Sequence, residues 1–192
     1  MSVQTRDDEA QSIIRADTPY PAMLLIGRLD AGAGGVASFD FTNIPAVYSK
    51  LIIDLYARGD TAATAITVKV TFNNDGGANY DSIRGVISAP NLIVTAEHVA
   101  GVFMDLAAVS AAAGPASAFD TAIIEIAGYA NANAHKAVNG RSSIKTSALT
   151  GNLYAALSSG WYRSTNAINR ITLTPDGGNF AQYSSARLYG VY

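Results

Sequence analysis

Thr64–Phe72 reads TAITVKVTF. Ile66, Val68, Val70 and Phe72 fall on one side, and Thr67, Lys69 and Thr71 on the other. A period of two built largely from β-branched residues predicts a half-buried β-strand. The same alternation recurs on both sides of this stretch. Ser49–Ala57 (SKLIIDLYA) sets Leu51, Ile53 and Leu55 against Ile52, Asp54 and Tyr56. Thr121–Ala127 (TAIIEIA) sets Ile124 and Ile126 against Ile123 and Glu125. Arg170–Thr174 alternates Ile171 and Leu173 with polar neighbours, and Arg187–Tyr192 closes the chain as a strand. Weaker strand patterns cover Met23–Leu29, Val36–Phe41, Val99–Leu106, Ser142–Thr146 and Leu153–Tyr162.

Turn chemistry separates these runs. Gly34-Gly35, Asn43-Ile44-Pro45, Asp75-Gly76-Gly77, Asn139-Gly140, Gly151-Asn152 and Asp176-Gly177-Gly178 supply the positive φ that tight turns demand. Alanine is abundant, but it does not recur at helical spacing, so pattern outweighs helix propensity. Many short strands joined by Gly-rich turns predict an all-β, antiparallel β-sandwich over residues 22–192. Ala107–Ala118, small-residue-rich and broken by Gly114 and Pro115, reads as a loop. One internal echo stands out. Thr71–Tyr80 and Thr172–Phe180 each run strand, Asp-Gly-Gly turn, Asn and aromatic, which predicts two equivalent hairpins.

Residues 1–21 differ from the rest. Arg6, Asp7, Asp8, Glu9, Arg15 and Asp17 crowd them, with Ile13-Ile14 the strongest apolar pair. Thr18-Pro19-Tyr20-Pro21 favours extended geometry. This reads as an arm, without the basic and apolar regions of a signal peptide. No stretch approaches the roughly 20 apolar residues of a membrane helix.

Charge and composition narrow the function. Only 15% of the 192 residues are charged, against about 25% in a typical soluble domain. That shortfall suits surface buried against partners. A formal net charge of -2 with no basic cluster argues against nucleic-acid binding. The absence of Cys excludes disulfides, thiolate metal sites and a cysteine nucleophile. His98 and His135, the only histidines, have no partner at a catalytic spacing. Asp75, Asp81 and Asp176 offer oxygens for Ca²⁺ but sit where turns use Asx residues anyway. Glycoside hydrolysis needs two flanking carboxylates. Asp54, Glu97, Asp105 and Glu125 are the candidates, and their spacing pairs none of them. The reading is therefore of a non-enzymatic chain without catalytic residues, metal or cofactor. Its ten tyrosines and Trp161 offer anchors for sugars or proteins, though most tyrosines read as sandwich-edge caps.

Several phrases carry a family likeness. They are Ser38–Pro45 (SFDFTNIP), Tyr48, Leu51–Ile53, Ala57–Thr64 (ARGDTAAT) and Val70–Tyr80 (VTFNNDGGANY). The second half adds Ala127–Asn131, Gly160–Ile168 (GWYRSTNAI), Ile171–Thr174, Gly178–Phe180 and Leu188–Val191. Together they resemble a group of tailed-bacteriophage virion structural proteins, over about Phe39–Tyr192. The resemblance implies a jelly-roll-like sandwich, often trimeric, and carries over no catalytic residues. The compact domain without heptads favours a capsid decoration (cement) protein made in the host cytoplasm and placed on the capsid exterior. Its expected partners are the major capsid protein and its own copies, as a homotrimer, with no nucleic acid or membrane. Arg6, Ile13, Ile14, Arg15 and Tyr20 of the arm are the expected capsid contacts. The alternative is a tail or head fibre protein touching host polysaccharide through Trp161 and Tyr162.

Overall fold

Val68, Val70 and Phe72, inward in the alternation of TAITVKVTF, are fully buried. The computed structural model describes residues 23–88, 92–146 and 153–192, with backbone alone at 88 and 92–96. The 1–21 arm and the Gly151-Asn152 turn lie outside the described residues.

In chain order the strands are β1 (Met23–Asp30), β2 (Phe39–Phe41), β3 (Lys50–Ala57), β4 (Ala65–Phe72), β5 (Tyr80–Ser88) and β6 (Leu92–Gly101). They continue as β7 (Met104–Ser110), β8 (Asp120–Ala127), β9 (Lys136–Lys145), β10 (Leu153–Tyr162), β11 (Ile171–Pro175) and β12 (Ser185–Val191). Eight form one antiparallel sheet in the order β1-β12-β3-β8-β9-β10-β5-β6. Four form a second, β2-β11-β4-β7. The fold is thus an all-β antiparallel sandwich, as the alternation predicts.

Register decides which apolar face becomes core. Ile53 on β3 lies opposite Leu188 on β12 and Ile124 on β8. Val70 on β4 lies opposite Leu173 on β11 and Met104 on β7. All six are fully buried in one apolar cluster that also holds Phe39, Phe72 and Phe180. Each aliphatic side chain so buried contributes roughly 1.5–3 kcal/mol of transfer free energy.

The two Asp-Gly-Gly segments are not hairpins. One leads from β4 in the smaller sheet to β5 in the larger, and the other from β11 in the smaller sheet to β12 in the larger. Each turn therefore changes layer, and each ends on a buried aromatic, Tyr80 or Phe180. The Asp75 carboxylate accepts the Gly77 N–H at 2.8 Å and the Asn79 amide at 2.9 Å. At the second turn, Asp60 accepts the Asn179 N–H at 2.6 Å and its amide at 3.0 Å. The sequence echo marks two sheet-switching corners, pinned by different aspartates.

Three further readings are corrected. Val99–Leu106 is not one strand: the chain leaves β6 at Gly101 and enters β7 at Met104. Ala107–Ser110 is not loop but the buried second half of β7. Small side chains are needed there because β7 leans edge-on against the larger sheet. Asn139-Gly140 is not a turn but lies inside β9, paired with Ser159 and Ser158 of β10, because the glycine answers a close neighbour rather than a chain reversal.

That lean has a specific chemistry. β7 is an edge strand, so one row of its backbone groups has no ladder partner. The Asp105 N–H donates to Ser82 Oγ at 3.2 Å, the Ala108 N–H to Ser142 Oγ at 3.2 Å, and the Ser110 N–H to Asp120 Oδ2 at 2.5 Å. Asp105 and Ala107 pair with Lys69 and Val68, leaving Leu106 as an extra, bulged residue. A Cβ at Gly140 on β9 would overlap the Leu106 carbonyl oxygen. Gly140→Val should therefore destabilise the fold by about 3 kcal/mol or more, read as a lower urea midpoint. A midpoint within error of the wild type would show that this approach is not tight.

Candidate interaction surface

The inner face of the larger sheet is committed to the core, which leaves its outer face to be read row by row. On β5 the outward positions are Asp81, Ile83, Gly85 and Ile87. On β10 they are Leu153, Ala155, Leu157, Ser159 and Trp161. Next come Ala137, Asn139, Arg141 and Ser143 on β9, then Thr121, Ile123 and Glu125 on β8. β3 continues the face with Lys50, Ile52, Asp54 and Tyr56, and β12 with Arg187 and Tyr189.

This face divides in two. Over β8, β3 and β12 the charges neutralise one another: Lys50 pairs with Glu125 at 3.4 Å and Arg187 with Asp54 at 3.3 Å. Arg141 lies 3.9 Å from Glu125 at the border. Over β5 and β10 the face is apolar and open. Leu157 is 56% exposed and Trp161 52%, with Ile83, Ile87 and Leu153 also exposed. Two shallow depressions of about 260 and 310 Å³ mark the border, lined by Ile123, Arg141, Ala155 and Leu157 among others.

The β10 end that carries Trp161 is held from beneath. Gly160 leaves room for the Met104 sulfur, which a Cβ would meet at 2.6 Å. Tyr162 is only 1% exposed and stacks on Tyr80 at 5.0 Å between ring centroids. Its hydroxyl donates to Asp75 Oδ2 at 2.9 Å. Burial pushes the Tyr162 hydroxyl above the ordinary tyrosine pKa. Burial alone would raise the Asp75 carboxyl, but bonds from Gly77, Asn79 and Tyr162 outweigh it and leave Asp75 below the usual carboxylate range. Lys136, fully buried, donates to the carbonyls of Asn131 at 2.6 Å, Ala134 at 2.7 Å and Ser164 at 3.2 Å. Those bonds tie the loops on either side of Trp161 together, while burial lowers the Lys136 pKa.

The expected site residues scatter. Arg6, Ile13, Ile14, Arg15 and Tyr20 lie outside the described residues. Trp161 stands exposed, with the His135 ring edge-on at 6.4 Å. Tyr162 is a correction: adjacent strand residues face opposite ways, so with Trp161 outward Tyr162 turns into the core. His98 bonds Asp105 at 2.9 Å. Among the proposed carboxylates, Asp54 and Glu125 are diagonal neighbours on the outer face, about 7–8 Å apart, each with its own cation. Asp75, Asp81 and Asp176 do not converge: Asp81 pairs with Arg163 and Asp176 with Lys69. Among the described residues no group of three or more His, Asp or Glu is placed to hold a metal ion. No protein-family model matches the chain, and no curated protein matches it.

Asp75 gives a pH test. A carboxyl depressed in the fold contributes stability above the unfolded value and loses it as pH falls through the folded value. The stability gap between wild type and Asp75→Asn should be full at neutral pH. It should close as acid unfolding is followed from about pH 4, the ordinary carboxylate value, downward. A gap unchanged by acid would show that the Asp75 charge does not hold the corner.

Proposed function

We propose that this chain is a non-enzymatic structural protein of a tailed-phage virion, a capsid decoration protein that binds and stabilises the major capsid shell as a homotrimer on the capsid exterior. The observation that carries this reading is the open apolar half of the larger sheet, on a sandwich that spends the candidate carboxylates Asp54 and Glu125 in separate ion pairs and bonds Asp105 to His98. Contiguous exposed apolar surface of that kind marks an interface.

Strand order supports the jelly-roll part of the proposal. Within the sheets, the runs β1-β12-β3-β8 and β2-β11-β4-β7 each alternate early and late strands. Double Greek-key sandwiches of viral capsid domains interleave this way. Two additional hairpins, β5–β6 and β9–β10, widen only the larger sheet, and they join each other through β10 and β5.

The arm over 1–21 is assigned to the shell, where Arg6, Arg15, Tyr20 and the Ile13-Ile14 pair reach a different protein. Three linked weak contacts exceed one by roughly 10²–10⁴ in avidity. Removing residues 1–21 should abolish binding to undecorated shells in a co-sedimentation assay while leaving the thermal transition in place. Retained binding would remove the arm from the mechanism.

Trp161 favours a second reading, a fibre protein that contacts host polysaccharide. Its exposed ring beside His135 is a stacking platform. This reading expects retention on a host-glycan array that Trp161→Ala loses. Shell binding without glycan retention supports decoration; glycan retention without shell binding supports the fibre.

A further inference from the structure

We propose that the β5–β10 half of the outer face is the surface through which copies of this chain associate with one another. The inference takes from the preceding reading only that copies associate; how many, and on what virion part, is separate.

Strand addition is a poor route to such an assembly. β1 is bulged between Leu25 and Gly27, and β6 pairs irregularly at two places. The β2 edge is three residues long. The β7 edge has donors spent on Ser82, Ser142 and Asp120. Bulged, short and covered edges resist pairing with another chain. Association through a face remains.

The β5–β10 half suits a copy of itself. Ile83, Ile87, Leu153, Leu157 and Trp161 lie on two neighbouring strands, separated by small positions at Gly85, Ala155 and Ser159. Large side chains of one copy can enter the gaps over Gly85 and Ala155 of another. Asp81 is taken by Arg163 and the Ala100 N–H and Glu125 by Lys50, while exposed Glu97 on β6 and exposed Arg141 on β9 flank the patch on opposite sides. With one acidic and one basic margin the patch is near-neutral overall, and it meets its own copy without a net like-charge penalty.

Size points the same way. Strands spaced ~4.8 Å and rising ~3.4 Å per residue give β9, β10 and β5 a face of roughly 500 Å². Two such faces bury about 1,000 Å², the lower bound for a specific interface. Three copies converging on one axis bury more, because each meets two neighbours. The four strands β5, β6, β9 and β10 are also those by which the larger sheet exceeds the smaller, so this surface is built on the added hairpins.

Sedimentation of the full chain over a concentration series tests this. Leu157→Glu places a charge at the centre of the patch and should weaken association roughly 100-fold or more. Ile83→Lys, on the neighbouring strand, is a second variant with the same expectation. Val47→Glu alters an exposed apolar residue elsewhere and should associate as wild type. Circular dichroism checks that each variant folds. A monomeric wild type at high micromolar concentration overturns the inference. So does a folded Leu157→Glu or Ile83→Lys that associates normally, or equal weakening by Val47→Glu. Association of two copies, lost in Leu157→Glu, keeps this surface and overturns only the threefold reading.

Discussion

One edge strand governs how the two layers meet. β7 lies at the rim of the smaller sheet, where half of its backbone groups lack a ladder partner. Buried and unbonded, each such donor costs about 1–3 kcal/mol. Ser82 from β5, Asp120 from β8 and Ser142 from β9 supply the missing acceptors, and Gly140 clears space for the bulged Leu106 carbonyl. The larger sheet must therefore extend past the smaller one to reach around β7. Three strands of the larger sheet converge on a single strand of the smaller, which closes the sandwich on that side.

That extension has a consequence on the opposite face. β9, β10 and β5 use their inward residues to cover β7 and the small cluster of Ala108, Ile144 and Ala156. Their outward residues receive no covering layer. In an ordinary half-exposed sheet those positions are polar. Here Leu153, Leu157, Ile83, Ile87 and Trp161 occupy them. Trp161 stays firm because its neighbours are fixed: Gly160 against Met104, and Tyr162 against Tyr80 and Asp75. The hairpins that close the fold on one side thus present an apolar platform on the other.

Much of the fold was legible in the chain because strand alternation is local. Period two alone sorts the residues of β3, β4, β8 and β11 into two faces. Sheet-switching corners were legible as turns but not as corners, because Asp-Gly-Gly supplies the same positive φ to a hairpin and to a crossing between layers. β7 was misread because its alanines carry no pattern; their smallness answers a neighbouring sheet absent from any local window. The candidate surface was half legible. Trp161 and Tyr162 look equivalent in sequence, yet a one-residue step along a strand sends one outward and the other into the core. Lys136 gave no signal, since its three carbonyl partners come from residues 131, 134 and 164.

By itself the sequence determined the all-β class, most strand positions and the low charge of the chain, because these depend on side-chain period and on composition. It also held the phrases that resemble phage virion proteins. Only the tertiary structure decided which apolar residues are core and which are surface. Ile53 and Leu157 each sit in apolar alternation, but one faces the second sheet and the other faces no layer. That difference lies in the sheet order and in where the smaller sheet ends, and both are set by pairings between strands far apart in the chain.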